Sequence, residues 1–509
     1  MTTAQICIMI AIVFYLVGML IIGAVYSKKT KDVGDFYLGG RKLGPLVTAM
    51  SAEASDMSSY LLMGIPGLAL AAGLAEVSWT VIGLALGTYV NWLIVAKRLR
   101  NYSAHIGAIT IPDYFSKRYK DNSRILMAIA AVMIIIFFVP YTASGFSACG
   151  KLFGTLFGVD YHLAMIISAI IIVGYTSLGG FTAASITDFV QSIIMTIALI
   201  IVLVFGIKQA GGMDVVIENA KSFSGYLDLF KGYNAETNSA GSFPLFNVIS
   251  TLAWGLGYFG MPHILLRFMA IENPSKIKLS RRVASVWVVI SMAVAVLIGV
   301  VGLALVKTGV LPAFDDSETI IIQISTFLSS FGVFPALVAG IILSGILAST
   351  MSTADSQLLA ASSAASENII GGLFRVKLTD KSKMLVARIT LIAISVIAVF
   401  LAWDADSSVF RIVSFAWAGF GAVFGPVMLL SLFWKRSNKW GAIAGMLTGG
   451  IMVFVWKYVI AGLADILNVY ELLPAFVIAI IVNVVVSLAT KKPDQSIVDE
   501  FNEVKAIKN

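Results

Sequence analysis

Leu43-Gly44-Pro45-Leu46-Val47-Thr48-Ala49-Met50-Ser51-Ala52-Glu53-Ala54-Ser55-Asp56-Met57-Ser58-Ser59-Tyr60-Leu61-Leu62-Met63-Gly64-Ile65-Pro66-Gly67 is long enough to cross a bilayer. Two carboxylates and several hydroxyls nevertheless sit in its middle. An ionised carboxylate at membrane depth costs at least a few kcal/mol. Small and hydroxyl residues also favour a break in the helix. Carbonyls freed at a break coordinate cations, and the N-terminus of a half-helix favours an anion. Asp56 is therefore read as marking a cation and solute site. Glu53 is read either as protonated or turned to a water-filled vestibule, or as paired with a basic residue elsewhere in the bundle.

The surrounding sequence agrees with a membrane setting. Of its 509 residues 59% are hydrophobic and 13% charged, and the mean hydropathy is +0.92. A soluble domain would carry about 25% charged residues. Apolar runs recur along the whole chain, so a polytopic helical membrane protein is expected. The first run, Ile6 to Tyr26, is uncharged and has neither a basic flank nor a cleavage pattern. It reads as a retained helix and not a signal peptide. Cys7 and Cys149 lie in apolar runs, and His105, His162 and His263 are scattered. These suggest no disulfide framework, metal cluster or organic cofactor.

Thirteen spans are expected, near 5–26, 43–72, 74–96, 125–150, 160–179, 185–207, 243–266, 283–306, 331–365, 389–403, 408–434, 440–462 and 470–490. The second and ninth read as long and interrupted. Of the 36 Lys and Arg, all but Lys151, Lys208, Lys221, Lys231, Lys307, Arg411 and Lys457 fall in alternate loops, beginning with 27–42. That asymmetry places these loops and the C-terminus in the cytoplasm and the N-terminus outside. It also explains the net charge of +8 without a nucleic-acid partner. The external stretch 208–242 is read as a loop with room for a short helix. The tail after Thr490 is read as mobile.

Three further places can carry chemistry. Leu252 to His263 contains three glycines and Pro262, which weaken helix continuity. Trp254 and Tyr258, at i and i+4, would share a helical face. That face either packs a solute or forms an aromatic contact beside a glycine-mediated helix crossing. In Ser344 to Ser356, the hydroxyls of Ser349, Ser352, Thr353 and Ser356 recur at helical spacing. They either ligate a small cation or bond back to a helix. Asp188 opens the sixth span, as a helix N-terminal charge or part of an ion path. Arg41 reads as a positive-inside anchor.

At these residues the chain resembles the sodium:solute symporter family, and within it the PutP type of sodium/proline symporter. The stretches that carry the resemblance are Asp35-Phe36-Tyr37-Leu38-Gly39-Gly40-Arg41, Ala54-Ser55-Asp56-Met57-Ser58, Trp254 to Phe259 with Pro262 to Ile264, Met351-Ser352-Thr353, and Trp417-Ala418-Gly419-Phe420-Gly421. The resemblance implies an all-α fold with a core of two inverted five-helix repeats, LeuT-like, in the plasma membrane. It implies residues 1–42 as first helix and loop, 43–207 and 243–434 as the repeats around an external loop 208–242, 435–490 as two more helices, and 491–509 as a cytoplasmic tail. It implies Na+ bound by the carbonyls of Ala54, Met57 and Ser349 and the hydroxyls of Ser352 and Thr353. Asp56 would serve Na+ affinity, and Asp188 Na+ release. Ser58, Tyr141, Trp254, Tyr258 and Pro262 would shape the solute pocket, and Arg41 would couple the inner gate.

The chain departs from the type at three points. Ser59-Tyr60 stand where Gly-Trp is common, Glu53 where a small residue is usual, and Met261 where Gln is common. The implied activity is Na+-coupled import of L-proline. The same fold importing an organic acid, pantothenate or a sugar acid is the nearest alternative. An intramembrane enzyme lacks a nucleophile–base pair in the spans, and a sensor lacks an output domain.

Reporter fusions after residues 120, 280, 380 and 438 are expected to read as cytoplasmic, and fusions near 225 and 315 as external. Two or more reversed reporters would break the thirteen-span topology.

Overall fold

The computed structural model describes residues 1–27, 33–176, 180–234, 237–374, 376 and 379–507. Lys28, Lys29, Lys31, Arg375, Lys377 and Lys508, used in the charge argument, lie outside the described residues, as do the last three residues of the expected fifth span.

A helix α1 (Thr3–Ser27) is followed by the short α2 (Val33–Leu38) and a 3-10 turn, Gly39–Arg41. The segment quoted first forms α3 (Pro45–Asp56), a break, a π-helical turn Tyr60–Gly64 and α4 (Ile65–Ala72). Next come α5 (Leu74–Val90), a π turn Asn91–Val95, α6 (Ala96–His105) and α7 (Ile111–Arg118). Three long elements follow, α8 (Ile125–Phe157), α9 (Tyr161–Thr176) and α10 (Phe181–Gln209).

The expected external loop holds a helix α11 (Met213–Lys221) and a hairpin of β1 (Lys231–Asn234) and β2 (Ser239–Ser242), paired antiparallel with Lys231 opposite Ser242. The all-α expectation is thus corrected by one small hairpin. Then come α12 (Leu245–Leu252), a 3-10 segment Ala253–Phe259, α13 (Pro262–Ala270), α14 (Ile277–Lys307), a 3-10 turn Ser317–Thr319, α15 (Ile320–Ser329) and α16 (Val333–Ser363). The chain ends through α17 (Asp380–Leu401), α18 (Val409–Phe433), α19 (Lys439–Val455), α20 (Leu472–Ala489) and α21 (Gln495–Ala506).

Among the described residues nine helices are long and apolar enough to cross a membrane. Shorter apolar helices at Tyr60–Ala72, Tyr161–Gly174, Leu245–Phe259 and Leu385–Leu401 lie at the other expected positions. Apolar side chains face outward along α1, α17 and α20, as at Phe14, Ile389 and Val485, where lipid is their natural solvent. The broken segments lie inside, surrounded by α5, α8, α10, α14, α16 and α18. Trp92, Trp417, Tyr60, Tyr141 and Tyr258 are essentially fully buried there.

Two expectations fail for local reasons. The ninth span is not interrupted: α16 runs unbroken to Ser363 and continues as a π-helix to Leu373. Its hydroxyls bond to the preceding turn, as from Ser344 to the Gly340 carbonyl at 2.8 Å and from Ser356 to the Ser352 carbonyl at 3.0 Å. Small polar residues are thereby accommodated without opening the helix. The tail is a helix and not a loose end, because Ile497, Phe501 and Val504 recur on one face and are buried.

Close backbone approach positions the second broken segment. A Cβ on Gly83 or Gly87 of α5 would run into the backbone of Leu252 or Gly255, and one on Gly255 into Gly83. Gly87→Ala is expected to cost about 1–3 kcal/mol by forcing the two backbones apart. Gly18→Ala, where a Cβ meets nothing within 4 Å, is the matched control. Equal thermal unfolding of the two variants in detergent would contradict this packing.

Candidate functional site

The first break follows from local chemistry. At Met57 the backbone leaves the helical region (φ −78°, ψ 75°), while its N–H still donates to the Glu53 carbonyl at 2.8 Å. The Ser58 N–H donates to the Asp56 carbonyl at 2.9 Å and the Leu61 N–H to that of Ser58 at 3.0 Å. Pro66 lacks an N–H for the helix bond, and the turn before it widens to π form. The second break has its own punctuation. The 3-10 segment ends at Gly260, Met261 is extended, and Pro262 occupies the first turn of α13.

The two breaks meet directly. The Tyr258 hydroxyl donates to Asp56 Oδ2 at 2.6 Å, and the Tyr141 hydroxyl of α8 donates to the Asp56 carbonyl at 3.0 Å. Asn91 Nδ2 donates to the Tyr258 carbonyl at 2.9 Å, and Trp417 Nε1 to the Trp254 carbonyl at 2.8 Å. Carbonyls released by irregular backbone are thus satisfied by side chains from α8, α18 and the π turn after α5.

The segment carrying Trp254 and Tyr258 winds as a 3-10 helix and not as the α-helix the spacing assumes, yet both rings lie against Trp417, Trp254 at 6.2 Å and Tyr258 at 5.0 Å. Tyr258 reaches Asp56 and sets its ring edge-on to Trp417 at 5.0 Å. Trp254 stacks on Tyr470 at 5.1 Å and lies 5.1 Å from Phe410 and 6.5 Å from Tyr60.

The hydroxyls of α16 meet the first break from the other side. Ser352 Oγ donates to the Ala54 carbonyl at 2.7 Å and lies 3.2 Å from the Ser349 carbonyl, to which Thr353 Oγ1 donates at 3.1 Å. Ala54, Ser349, Ser352 and Thr353 are therefore brought together as a buried oxygen cluster. Oxygen ligands of this kind suit a hard cation. Met57 lies at the break with its sulfur accepting from Ser291 of α14 at 3.6 Å. Ser58 and Pro262 are buried beside the two breaks.

The carboxylates divide unevenly. Asp56 Oδ1 and Glu53 Oε2 are buried without a hydrogen-bond partner among the described residues. Glu53 Oε1 accepts from Trp92 Nε1 at 2.9 Å. The basic partner considered for Glu53 is not found among the described residues.

Asp188 is not a helix-end charge. It is the eighth residue of α10 and fully buried, because it pairs with Arg267 of α13 at 3.0 Å and accepts from Ser51 Oγ at 2.7 Å. Arg267 also donates to Ser51 Oγ at 3.0 Å, to Ser356 Oγ at 2.5 Å and to the His263 carbonyl at 2.9 Å, with Phe181 against its guanidinium. The charge pattern assigns Arg267 to a loop, but the structure places it inside the bundle. Its signal was an isolated Arg in the apolar run Ile264 to Met269.

Arg41 does more than anchor. Its Nη1 donates to the Met269 carbonyl at 2.6 Å and to Ser103 Oγ at 3.1 Å, and its Nη2 donates to the carbonyls of Ser103 at 3.0 Å and Ala108 at 2.5 Å. Burial and the neighbouring Arg100 push Arg41 down to about 10, which leaves it charged near neutral pH.

Two cavities lie elsewhere in the bundle, neither lined by a residue of the cluster. One of about 950 Å³ is lined by Gly64, Glu76, Glu318, Phe410 and Arg411, and reaches the aromatic layer through Phe410. The other, of about 590 Å³, lies at the basic-rich end and includes Asp113, Lys117, Arg124 and Glu367.

The chain matches the profile of the sodium:solute symporter family over residues 36–449. The osmoregulated proline transporter OpuE of Bacillus subtilis (strain 168) is 43% identical over 489 residues, 96% of this chain and 95% of the relative. The high-affinity proline transporter PutP of the same strain is 43% identical over 487 residues, 95% of this chain and 98% of the relative. Among solved structures, a Na+-coupled sialic acid symporter in a substrate-bound outward-open state matches with a TM-score of 0.77 at 18% identity, covering 96% of this chain and 99% of that one. At that identity the likeness speaks for the fold alone.

Breaking a buried ion pair from one side leaves an uncompensated charge, at a cost of about 3–5 kcal/mol. Asp188→Ala and Arg267→Ala are each expected to lower thermal stability on that scale, and Asp188→Asn with Arg267→Met to recover a large part. A double variant as unstable as the sum of the singles would argue against direct pairing.

Proposed function

Because the chain belongs to the sodium:solute symporter family, and is thus a multi-pass plasma-membrane transporter and not an enzyme, we propose that it imports L-proline together with Na+. The observation that carries the site is the junction of two broken helices through Tyr258 and Asp56, with Ser352 on the Ala54 carbonyl. Na+ takes the carbonyls of Ala54, Met57 and Ser349 and the hydroxyls of Ser352 and Thr353. On binding, it replaces the bond from the Ser352 hydroxyl to the Ala54 carbonyl with ion–oxygen contacts. Asp56 supplies the nearby negative charge that raises Na+ affinity. Ser58, Tyr141, Trp254, Tyr258 and Pro262 shape the pocket for the solute. Asp188 lies on the way of Na+ to the cytoplasm, and Arg41 couples the inner gate through α6 and α13.

On this reading the chain crosses the membrane thirteen times, with the N-terminus outside and the basic-rich end in the cytoplasm. Residues 43–207 and 243–434 form the inverted repeats, around the external loop 208–242. Residues 1–42, 435–490 and 491–509 are additions to that core. The larger cavity is the external vestibule, and the smaller one opens toward the cytoplasm. The two sides are exposed in turn, driven by the Na+ gradient and by the membrane potential, which supplies about 2.3 kcal/mol per charge per 100 mV. Glu53, Ser59, Tyr60 and Met261 tune the choice of solute, and a labelled panel of amino and organic acids reads that choice directly.

Uptake of labelled proline into proteoliposomes is expected only with an inward Na+ gradient, and uptake indifferent to Na+ would overturn the reading. Ser352→Ala and Thr353→Ala should each raise the Na+ concentration for half-maximal uptake, by loss of one ligand oxygen. Asp56→Asn should weaken Na+ dependence strongly, while Glu53→Gln leaves it within a few-fold. Equal, large losses in both carboxylate variants would make Glu53 and Asp56 a joint cation site.

A further inference from the structure

The tail helix α21 closes over a buried cation. Arg118, at the end of α7, is 0% exposed. Its Nε donates to the Ser431 carbonyl in the last turn of α18 at 2.9 Å, while Nη1 and Nη2 have no hydrogen-bond partner among the described residues. What faces the guanidinium is aromatic. The rings of Tyr102, Tyr119 and Phe501 lie 5.2, 5.1 and 5.2 Å from its central carbon. Phe501 is delivered by α21. Tyr102 donates to Glu500 at 3.3 Å, Lys120 donates to the Ser496 carbonyl at 3.2 Å, and His105 Nε2 lies 3.5 Å from Glu503.

The surface it covers is a junction. The unit α6–α7 holds the inner end of α3 through Arg41 and that of α13 through Arg41 and through Arg100, which donates to the Ile271 carbonyl at 2.7 Å. It holds α18 through Arg118 and through Tyr114, whose hydroxyl lies 3.1 Å from Ser431 Oγ. Asp56 stands at the far end of α3 from this junction.

We infer that α21 is a latch. Docked through Phe501 on Arg118, it braces α6–α7 in the arrangement that keeps the inner ends of α3, α13 and α18 together, and its release eases cytoplasmic opening. The inference rests on the alternating-access reading, and its test needs neither Na+ nor solute. Phe501 contributes both apolar burial and a ring face for a charge with few other partners.

The test is hydrogen exchange on the full chain in nanodiscs, compared with a chain ended after Pro493, with Phe501→Ala and with Phe501→Tyr. Peptides covering residues 38–50 and 264–276 should exchange on the order of tenfold faster in the shortened chain and in Phe501→Ala. Phe501→Tyr keeps the ring and should stay near the parent. Inner ends exchanging at the parent rate while 100–120 becomes exposed would make α21 a passenger and overturn the latch. Equal acceleration at the opposite face of the bundle would do so too, since it signals general loosening. Phe501→Ala changes one side chain on a peripheral helix and decides the matter if the shortened chain fails to fold.

Discussion

An interrupted helix inside a bilayer must find partners for every backbone group it releases, because no bulk water is there to do so. Here two helices are interrupted at the same depth of the fold, and they satisfy one another. Tyr258 from the second break holds the Asp56 carboxylate of the first. Asn91, Tyr141 and Trp417 take carbonyls at the Tyr258, Asp56 and Trp254 positions. The arrangement of α5, α8 and α18 around the centre follows from this need, since each contributes a donor. The glycines that let α5 and the 3-10 segment touch are the steric counterpart of the same requirement.

The electrostatics are layered along the bundle. Asp56 and Glu53 lie at the centre, each with one carboxylate oxygen bonded and the other without a partner among the described residues. Asp188 and Arg267 compensate each other one layer further in, and Ser51 and Ser356 share their bonds. A buried pair of this kind contributes little net stability against an apolar alternative, but its two partners depend strongly on each other. It ties α10 to α13 and, through Ser356, to α16, so a change in any of the three is felt by the others. At the basic-rich end Arg41, Arg100 and Arg118 repeat the device with backbone carbonyls as acceptors.

Much of this was legible in the residue order. Glycine, proline and serine mark both interruptions because their effect on the helix is local. The same rule misled at α16, where hydroxyls bonded to the preceding turn leave the helix intact. Trp254 and Tyr258, four positions apart, do meet a common ring, that of Trp417, although the segment between them winds as a 3-10 helix. The recurrence of Ile497, Phe501 and Val504 marks the tail as a helix with one apolar face, a short pattern set among charged residues. Arg267 was hidden by its position near a basic loop.

Apolar run lengths and the placement of lysine and arginine decide that this is a many-helix membrane protein. They do so because the bilayer acts on each segment separately, through its length and charge. Which oxygens meet was decided only by packing. Ser352 and Ala54 are 298 positions apart, as are Tyr258 and Asp56 by 202, and nothing local to either partner encodes the meeting. Long-range contacts depend on the shapes of all the helices between them. In the oxygen cluster the hydroxyls of Ser352 and Thr353 are visible in the sequence, but the carbonyls of Ala54 and Ser349 are not, since every residue owns a carbonyl and only the fold decides which ones meet.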